Sequence, residues 1–225
     1  GRSWGSAAVA IPDPRQQVVS EPALEIVSGV ETPVATSGAV INRRSCRIFD
    51  ASKLPEDHID TILEAAQWAP SPLNLQPWEF VLVTDPAIKR RILDAGKEAK
   101  RSVVDQSGPE WVIKYNMAFI EQAPVGVAVV YDPTKGGLGD FFGQKYGALQ
   151  AASACIENML LAAADLGYAS LWFTFFNPDK LKAVLKIPDN LEVAGFVLIG
   201  KPAVALKAPP RKKPVVHRQS YGTGD

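Results

Sequence analysis

Asn42-Arg43-Arg44-Ser45-Cys46-Arg47 packs three guanidinium groups and a hydroxyl into one short stretch. Such groups repel one another unless an anion or an acidic side chain relieves them. The planar fork of arginine matches the oxygens of a phosphate, and Ser45 adds a hydroxyl donor. The residues alone leave two readings open, an oxyanion site and a solvated basic turn. A second dense stretch is Ala69-Pro70-Ser71-Pro72-Leu73-Asn74-Leu75-Gln76-Pro77-Trp78. Its prolines restrict the backbone while Ser71, Asn74 and Gln76 offer donors and acceptors. It reads either as a polar site on a rigid loop or as an ordinary turn with a packing tryptophan. A third group, Arg211-Lys212-Lys213, lies in the tail. Two basic clusters closing on one phosphate would make a clamp, but spacing does not show that they meet.

Other reactive side chains are few. Two cysteines and two histidines cannot make a disulfide framework or a four-cysteine metal site, and they argue against any metal centre. Cys46 reads as a spacer whose thiol points away from the arginines, and Cys155 as a small packing residue. His58 reads as a surface helix residue and His217 as a tail residue, neither with an acid–base role. Glu157 and Asn158 read as a hydrogen-bonded core pair or an interface contact. Gly136 to Gly139 does not match the glycine spacing of a dinucleotide loop.

The elements that must position these groups can be read from periodicity and punctuation. Pro55, Glu56 and Asp57 suit a helix start, and Ile59, Ile62, Leu63 and Ala66 give that helix one apolar face ending before Pro70. Glu79 to Thr84 reads as a strand. Asp85-Pro86 then caps a helix to about Lys100. One helix is expected over Glu110 to Gln122, bounded by Pro109 and Pro124. Val125 to Tyr131 has too little polarity for an exposed sheet and reads as a buried strand. An Ala-rich helix comes next, stopped at Gly167. After it come a strand from Ala169 to Phe175, a short helix capped by Asn177-Pro178, and a last strand from Leu191 to Ile199. The tail beyond Pro202 is expected to be extended. Strands and helices mix without strict alternation, which makes the fold class α+β.

The chain has 225 residues with 24 Lys+Arg against 24 Asp+Glu, and this balance speaks against a generally basic nucleic-acid binder. A hydrophobic share of 47% supports a sizeable core. Residues 1–40 show no sustained period and are expected to be an arm ahead of a domain over 41–225; the opening GRSWGS has the look of a tag remnant. The apolar run from Ala148 to Leu166 is interrupted by Gln150, Glu157, Asn158 and Asp165, so a buried helix is expected rather than a membrane span. No signal-peptide pattern opens the chain. The expected location is cytoplasmic, with no membrane and no nucleic-acid partner.

Taken together, these segments resemble the nitroreductase family of FMN-dependent oxidoreductases. The resemblance rests on Arg43-Arg44-Ser45-Cys46-Arg47-x-Phe49 followed by Ala69-Pro70-Ser71-x-x-Asn74-x-Gln76-Pro77-Trp78. It continues through Leu166-Gly167-Tyr168, Ile199-Gly200-Lys201-Pro202 and the basic tail. It implies a central, mostly antiparallel sheet flanked by helices, in an intertwined homodimer. It further implies that Arg43 and Ser45, with Arg44 beside them, hold the FMN phosphate, and that Arg47 lies near the flavin pyrimidine. Pro70, Ser71, Pro72 and Asn74 match a loop given by the neighbouring subunit, and Asn116 an amide at the isoalloxazine edge. Trp172, Phe173 and Thr174 match a strand along the ring, while Arg211 and Lys213 match phosphate contacts from the tail. Tyr115, Phe141 and Phe142 are candidate substrate-side aromatics, core packing being the other account of them. Phe119 and Thr174 depart from the lysine and glutamate that some members carry.

What the resemblance implies about activity is a ping-pong reaction. Hydride from NADH or NADPH passes through flavin N5 to an electron-poor small molecule such as a nitroaromatic or quinone, with no catalytic side chain required. The alternatives are reductive dehalogenation, oxygen-dependent fragmentation of the flavin, or a non-enzymatic flavin-binding sensor.

Overall fold

The computed structural model of the chain describes residues 38–222. The arm expected over 1–40 lies outside the described residues except at its end, where a short helix, α1 (Gly38–Asn42), begins. Helix α2 (Glu56–Gln67) buries Ile59, Ile62 and Ala66, as their spacing requires, with Glu56 and Asp57 in the first turn. Pro55 is its N-cap rather than its first helical residue, because its ψ of 144° is extended.

Strand β1 (Trp78–Val83) leads into α3 (Pro86–Asp105), whose start is fixed by the Asp85 carboxylate accepting the Ala87 N–H at 2.7 Å. This helix outruns the expected end at Lys100, since nothing that breaks a helix comes until Gly108. The single helix expected over 110–122 is instead two, α4 (Trp111–Lys114) and α5 (Phe119–Gln122). Between them the Asn116 carboxamide oxygen accepts the Ala118 N–H at 2.9 Å, a side-chain turn that displaces the helical ladder. Lys89 of α3, only 6% exposed, donates from Nζ to the carbonyls of Ala123 at 2.8 Å and Glu121 at 3.4 Å, where α5 ends.

Strand β2 (Val125–Tyr131) is succeeded by a 3-10 turn (Gly137–Phe142) and the long helix α6 (Gly147–Asp165). Gly167, at φ 80°, ends α6: its N–H bonds the Ala164 carbonyl at 3.0 Å, and the Tyr168 N–H bonds the Ala163 carbonyl at 2.8 Å. Strand β3 (Ala169–Phe173) starts at once. It is shorter than expected because Thr174 turns out of the sheet, its carbonyl taking the Phe176 N–H at 3.1 Å. Helix α7 (Pro178–Leu185), capped by the Asn177 side chain, and strand β4 (Glu192–Gly200) complete the order.

The four strands lie in the order β1-β2-β4-β3, every neighbouring pair antiparallel. On one face Val125, Val127 and Val129 pack with Ile156 and Met159 of α6 and Ile59 and Ile62 of α2. On the other, Ala128, Leu171, Phe196 and Leu198 pack with Ile92, Phe119, Ile120 and Leu181. Burial on both faces explains why β2 reads as an unbroken apolar run. The Phe196 ring fits only because it lies over Gly126, its diagonal neighbour; a Cβ there would lie 2.4 Å from the ring. Among the described residues no helix is long and apolar enough to cross a membrane.

Strand β3 is a sheet edge, and the basic segment is laid on it. Ser45 and Ser170 form a parallel bridge, with the Cys46 N–H on the Ser170 carbonyl at 2.9 Å. Further on, the Asp50 N–H meets the Lys201 carbonyl at 2.8 Å, and the Ala203 N–H meets the Ile48 carbonyl at 3.0 Å. The first of these bonds covers the start of the β3 edge, and together they fix the backbone on both sides of Arg47.

Candidate functional site

The basic arm alternates in burial. Cys46 is fully buried, its thiol donating to the Ile48 carbonyl at 3.2 Å, while Ser45 and Arg47 on either side are exposed. The cysteine therefore anchors the arm, in keeping with the spacer reading. Arg44 turns its guanidinium onto the carbonyls of Ile41 and Arg43, capping the end of α1. Arg43, whose N–H closes α1 on the Ala39 carbonyl, places Nε 3.4 Å from the Glu157 carboxylate of α6. That acid relieves part of the crowding among the arginines. The groups left for an anion are Arg43, Ser45 and Arg47. Beside them lies Ser170 Oγ, buried and without a hydrogen-bond partner among the described residues. Guanidiniums with hydroxyl donors suit the phosphate of FMN.

The loop from Pro70 to Pro77 is strained. Leu73, Asn74 and Gln76 have φ of 51°, 54° and 42°, the left-handed region that side chains disfavour. The loop is held from within: Ser71 Oγ accepts the Gln76 N–H at 3.0 Å, the Ser71 carbonyl accepts the Asn74 N–H at 3.1 Å, and the Asn74 carboxamide accepts Gln76 Nε2 at 3.0 Å. Pro72 packs on Gly137, where a Cβ would lie 2.5 Å from the proline ring. A cleft of about 490 Å³ opens between Pro72 and Leu138, Gln144, Tyr146 and Gln150. Phe141 and Phe142 are 83% and 84% exposed, so in this chain they are not core residues.

The remaining candidates gather at the other end of β3. Trp172 gives its indole N–H to the Ala194 carbonyl at 3.2 Å and packs over Gly195. Phe173 is buried, so this segment presents main chain and the exposed Thr174 rather than those two rings. Phe175 meets Tyr115 at 5.8 Å and Trp111 at 6.2 Å between ring centroids, and Tyr115 meets Trp111 at 5.6 Å. This cluster packs Tyr115, the neighbour of the exposed Asn116, against Phe175, the neighbour of Thr174. Phe119 is inside the core.

Three groups are thus formed: the arm on β3, the 70–77 loop against the 137–142 turn, and the aromatic cluster with Asn116. No hydrogen bond among the described residues joins the arm to the loop, and Arg211 and Lys213 lie exposed in the tail, outside any helix or strand. Two smaller expectations are corrected. His58 is half-buried, its Nδ1 2.7 Å from the Tyr168 hydroxyl, so it is not a plain surface residue. Glu157 and Asn158 are not a pair, since Asn158 Nδ2 donates to the Ala65 carbonyl at 3.2 Å while Glu157 serves Arg43. Their sequence signal, polar residues inside an apolar helix, was visible; their partners were not.

Over residues 40–201 the chain matches the nitroreductase family. It is 28% identical over 194 residues to an NADH dehydrogenase of Thermus thermophilus, a match spanning 73% of this chain and 85% of that protein. It is 30% identical over 185 residues to iodotyrosine deiodinase 1 of Sus scrofa, spanning 76% of this chain and 63% of that protein. Among solved structures its fold is similar to that of oxidized iodotyrosine deiodinase bound to FMN and 3-iodo-L-tyrosine, with a TM-score of 0.71, 20% identity, and coverage of 81% and 98% of the two chains.

Proposed function

The chain belongs to the nitroreductase family, and on that premise we propose that it is an FMN-dependent oxidoreductase using NADH or NADPH to reduce an electron-poor small molecule such as a nitroaromatic or quinone. The observation that carries this reading is the arm bridged to the start of β3, which sets Ser45 beside the buried Ser170 with Arg43 and Arg47 on either side, at one end of the strand whose other end is Trp172–Thr174. When bound, FMN supplies the redox chemistry by taking electrons from the donor and passing them to the acceptor. Arg43 and Ser45 hold the phosphate. Arg47, exposed on the arm, contributes positive charge toward the pyrimidine end and so favours the reduced, more anionic state. Asn116 offers its carboxamide to the ring edge, and the main chain of 172–174 lines the face. Arg211 and Lys213 of the tail complete the phosphate contacts.

The working unit is a homodimer. Its support is the apolar surface around the start of α6: Ile41, Leu73, Leu138, Phe141, Phe142 and Tyr146 are all well exposed, on elements that pack against that helix. A strained loop presenting Leu73 outward fits a role at a partner's flavin. The test is the visible spectrum of the purified protein, recorded before and after adding NADH or NADPH without oxygen. Flavin bands that bleach support the reading. A protein that neither carries nor takes up FMN overturns it.

Similarity to iodotyrosine deiodinase 1 favours a second reading, reductive dehalogenation of an aromatic amino acid. Halide release from a halotyrosine under dithionite-reduced conditions distinguishes it from nitro or quinone reduction.

A further inference from the structure

Helices α3, α4 and α5 meet around a cleft of about 430 Å³ whose lining includes Lys97, Lys100, Lys114, Tyr115, Asn116 and Glu121. Three lysines and one glutamate line it, and the glutamate is already engaged by Arg90. Lys97 has Asp94 at 3.3 Å, an exposed pair of the kind that contributes little. Lys100 is half-buried and gives one N–H to the Tyr115 carbonyl at 2.9 Å, which leaves two donors. The cleft therefore carries excess positive charge within a concave wall, where the field of fixed charges is concentrated.

Its place matters as much as its charge. Tyr115 belongs both to the lining and to the aromatic cluster with Trp111 and Phe175, which adjoins Thr174. Asn116 belongs both to the lining and, in the function proposed above, to the flavin edge. We propose that the cleft is an oxyanion subsite, binding a phosphate or carboxylate on the molecule that exchanges electrons at this site. The inference rests on the proposed flavin chemistry for its purpose and on the lysines for its specificity. It makes the enzyme select among donors or acceptors by their negative charge, through KM rather than kcat.

The test uses the flavin-loaded protein and the double variant Lys97→Ala/Lys114→Ala, whose side chains are exposed and outside the core. KM and kcat are measured for NADH, NADPH, 4-nitrobenzoate and uncharged 4-nitrobenzyl alcohol. A rise in KM of about five- to tenfold at constant kcat is expected for the oxyanion-bearing partner. Confined to NADPH, it assigns the donor's 2′-phosphate; shared by NADH and NADPH, the pyrophosphate; confined to 4-nitrobenzoate, the acceptor's carboxylate. The Lys97→Arg/Lys114→Arg variant should keep the low KM. A separate titration of 2′,5′-ADP, pyrophosphate and benzoate, monitored by tryptophan fluorescence, should weaken for at least one probe in the Ala variant. If every KM and every titration stays within twofold, or the uncharged alcohol is affected equally, the proposal is overturned. A wild type without reducible flavin would defeat the function proposed above while leaving the titration to judge the subsite.

Discussion

Arg43 Nε stands 3.4 Å from Glu157 Oε1, tying the first guanidinium of the basic arm to the middle of α6. The acid is nearly half exposed, so the pair contributes at most about 1 kcal/mol to stability. Its importance is orientation. With the acid on the Nε side, both terminal amino groups are left to a ligand.

Arg43→Ala should weaken FMN binding by about ten- to a hundredfold, the range expected for losing charge-assisted hydrogen bonds. Riboflavin, which lacks the phosphate, should bind wild type and variant alike. Fluorescence quenching titrations read both constants. Equal losses for the two flavins would remove Arg43 from the phosphate site.

The left-handed backbone at Leu73 gives a stability prediction. Leu73→Gly should be more stable than Leu73→Ala by up to about 1 kcal/mol, since both remove the side chain and only glycine adopts that conformation without steric cost. Leu73→Val should lower stability by about 1 kcal/mol or more, because a β-branched side chain fits that region worst. Urea midpoints decide between them, and a valine tolerated as well as glycine would contradict the φ of 51°.

Legibility from sequence varied with how local the determining force was. Strand β2 matched its expected bounds to the residue because burial on both faces writes itself as an unbroken apolar run. Helix starts at Asp85 and Asn177 were legible because each cap is made by one side chain within three residues. The 110–122 segment misled for the same reason in reverse: bounding prolines advertised one helix, and a single Asn116 hydrogen bond divided it. For the site, the basic arm and the polar loop were legible as clusters. The Arg43–Glu157 and His58–Tyr168 contacts were not, since they depend on how α2, α6 and the arm pack.

Neither cysteine should react with a thiol reagent in the folded protein. Cys46 is fully buried, and burial pushes the Cys155 thiol up to about 12. Ellman's reagent should read no fast thiol in the native state and both after unfolding in guanidinium. A fast native thiol would show that one of these walls opens readily.

Lys89 predicts a pH trend. Burial pushes its ammonium below the ordinary 10.5, with the charges of Glu121 and Asp85 pulling partly back. Between that lowered pKa and 10.5 the unfolded chain holds more protons than the folded one, so stability rises with pH in that window. The neutral amine keeps two N–H groups for the Glu121 and Ala123 carbonyls. Relative to Lys89→Met, the wild type should therefore gain stability as pH climbs toward 10.5, read from paired denaturation curves. A difference that is flat with pH would sink this account.

Gly126→Ala should destabilise by about 1–3 kcal/mol, because its Cβ would meet the Phe196 ring in a core without slack. Adding Phe196→Leu should recover part of the loss. Strictly additive costs in thermal melts would mean the two positions do not share that space.

The turn at Gly167 passes straight from α6 into β3, Tyr168 closing the one and Ala169 opening the other. Such a junction works as a gauge of chain length. Each residue added to a helix rotates the rest of the chain by about 100°, and each added to a strand exchanges its two faces. One residue inserted between 147 and 169 would put Trp172 where Phe173 belongs and shift Ser170 out of line with Ser45. Insertions and deletions can be absorbed in the surface turns around 132–146 and in the tail, but within this stretch the count of residues is itself part of the proposed binding site.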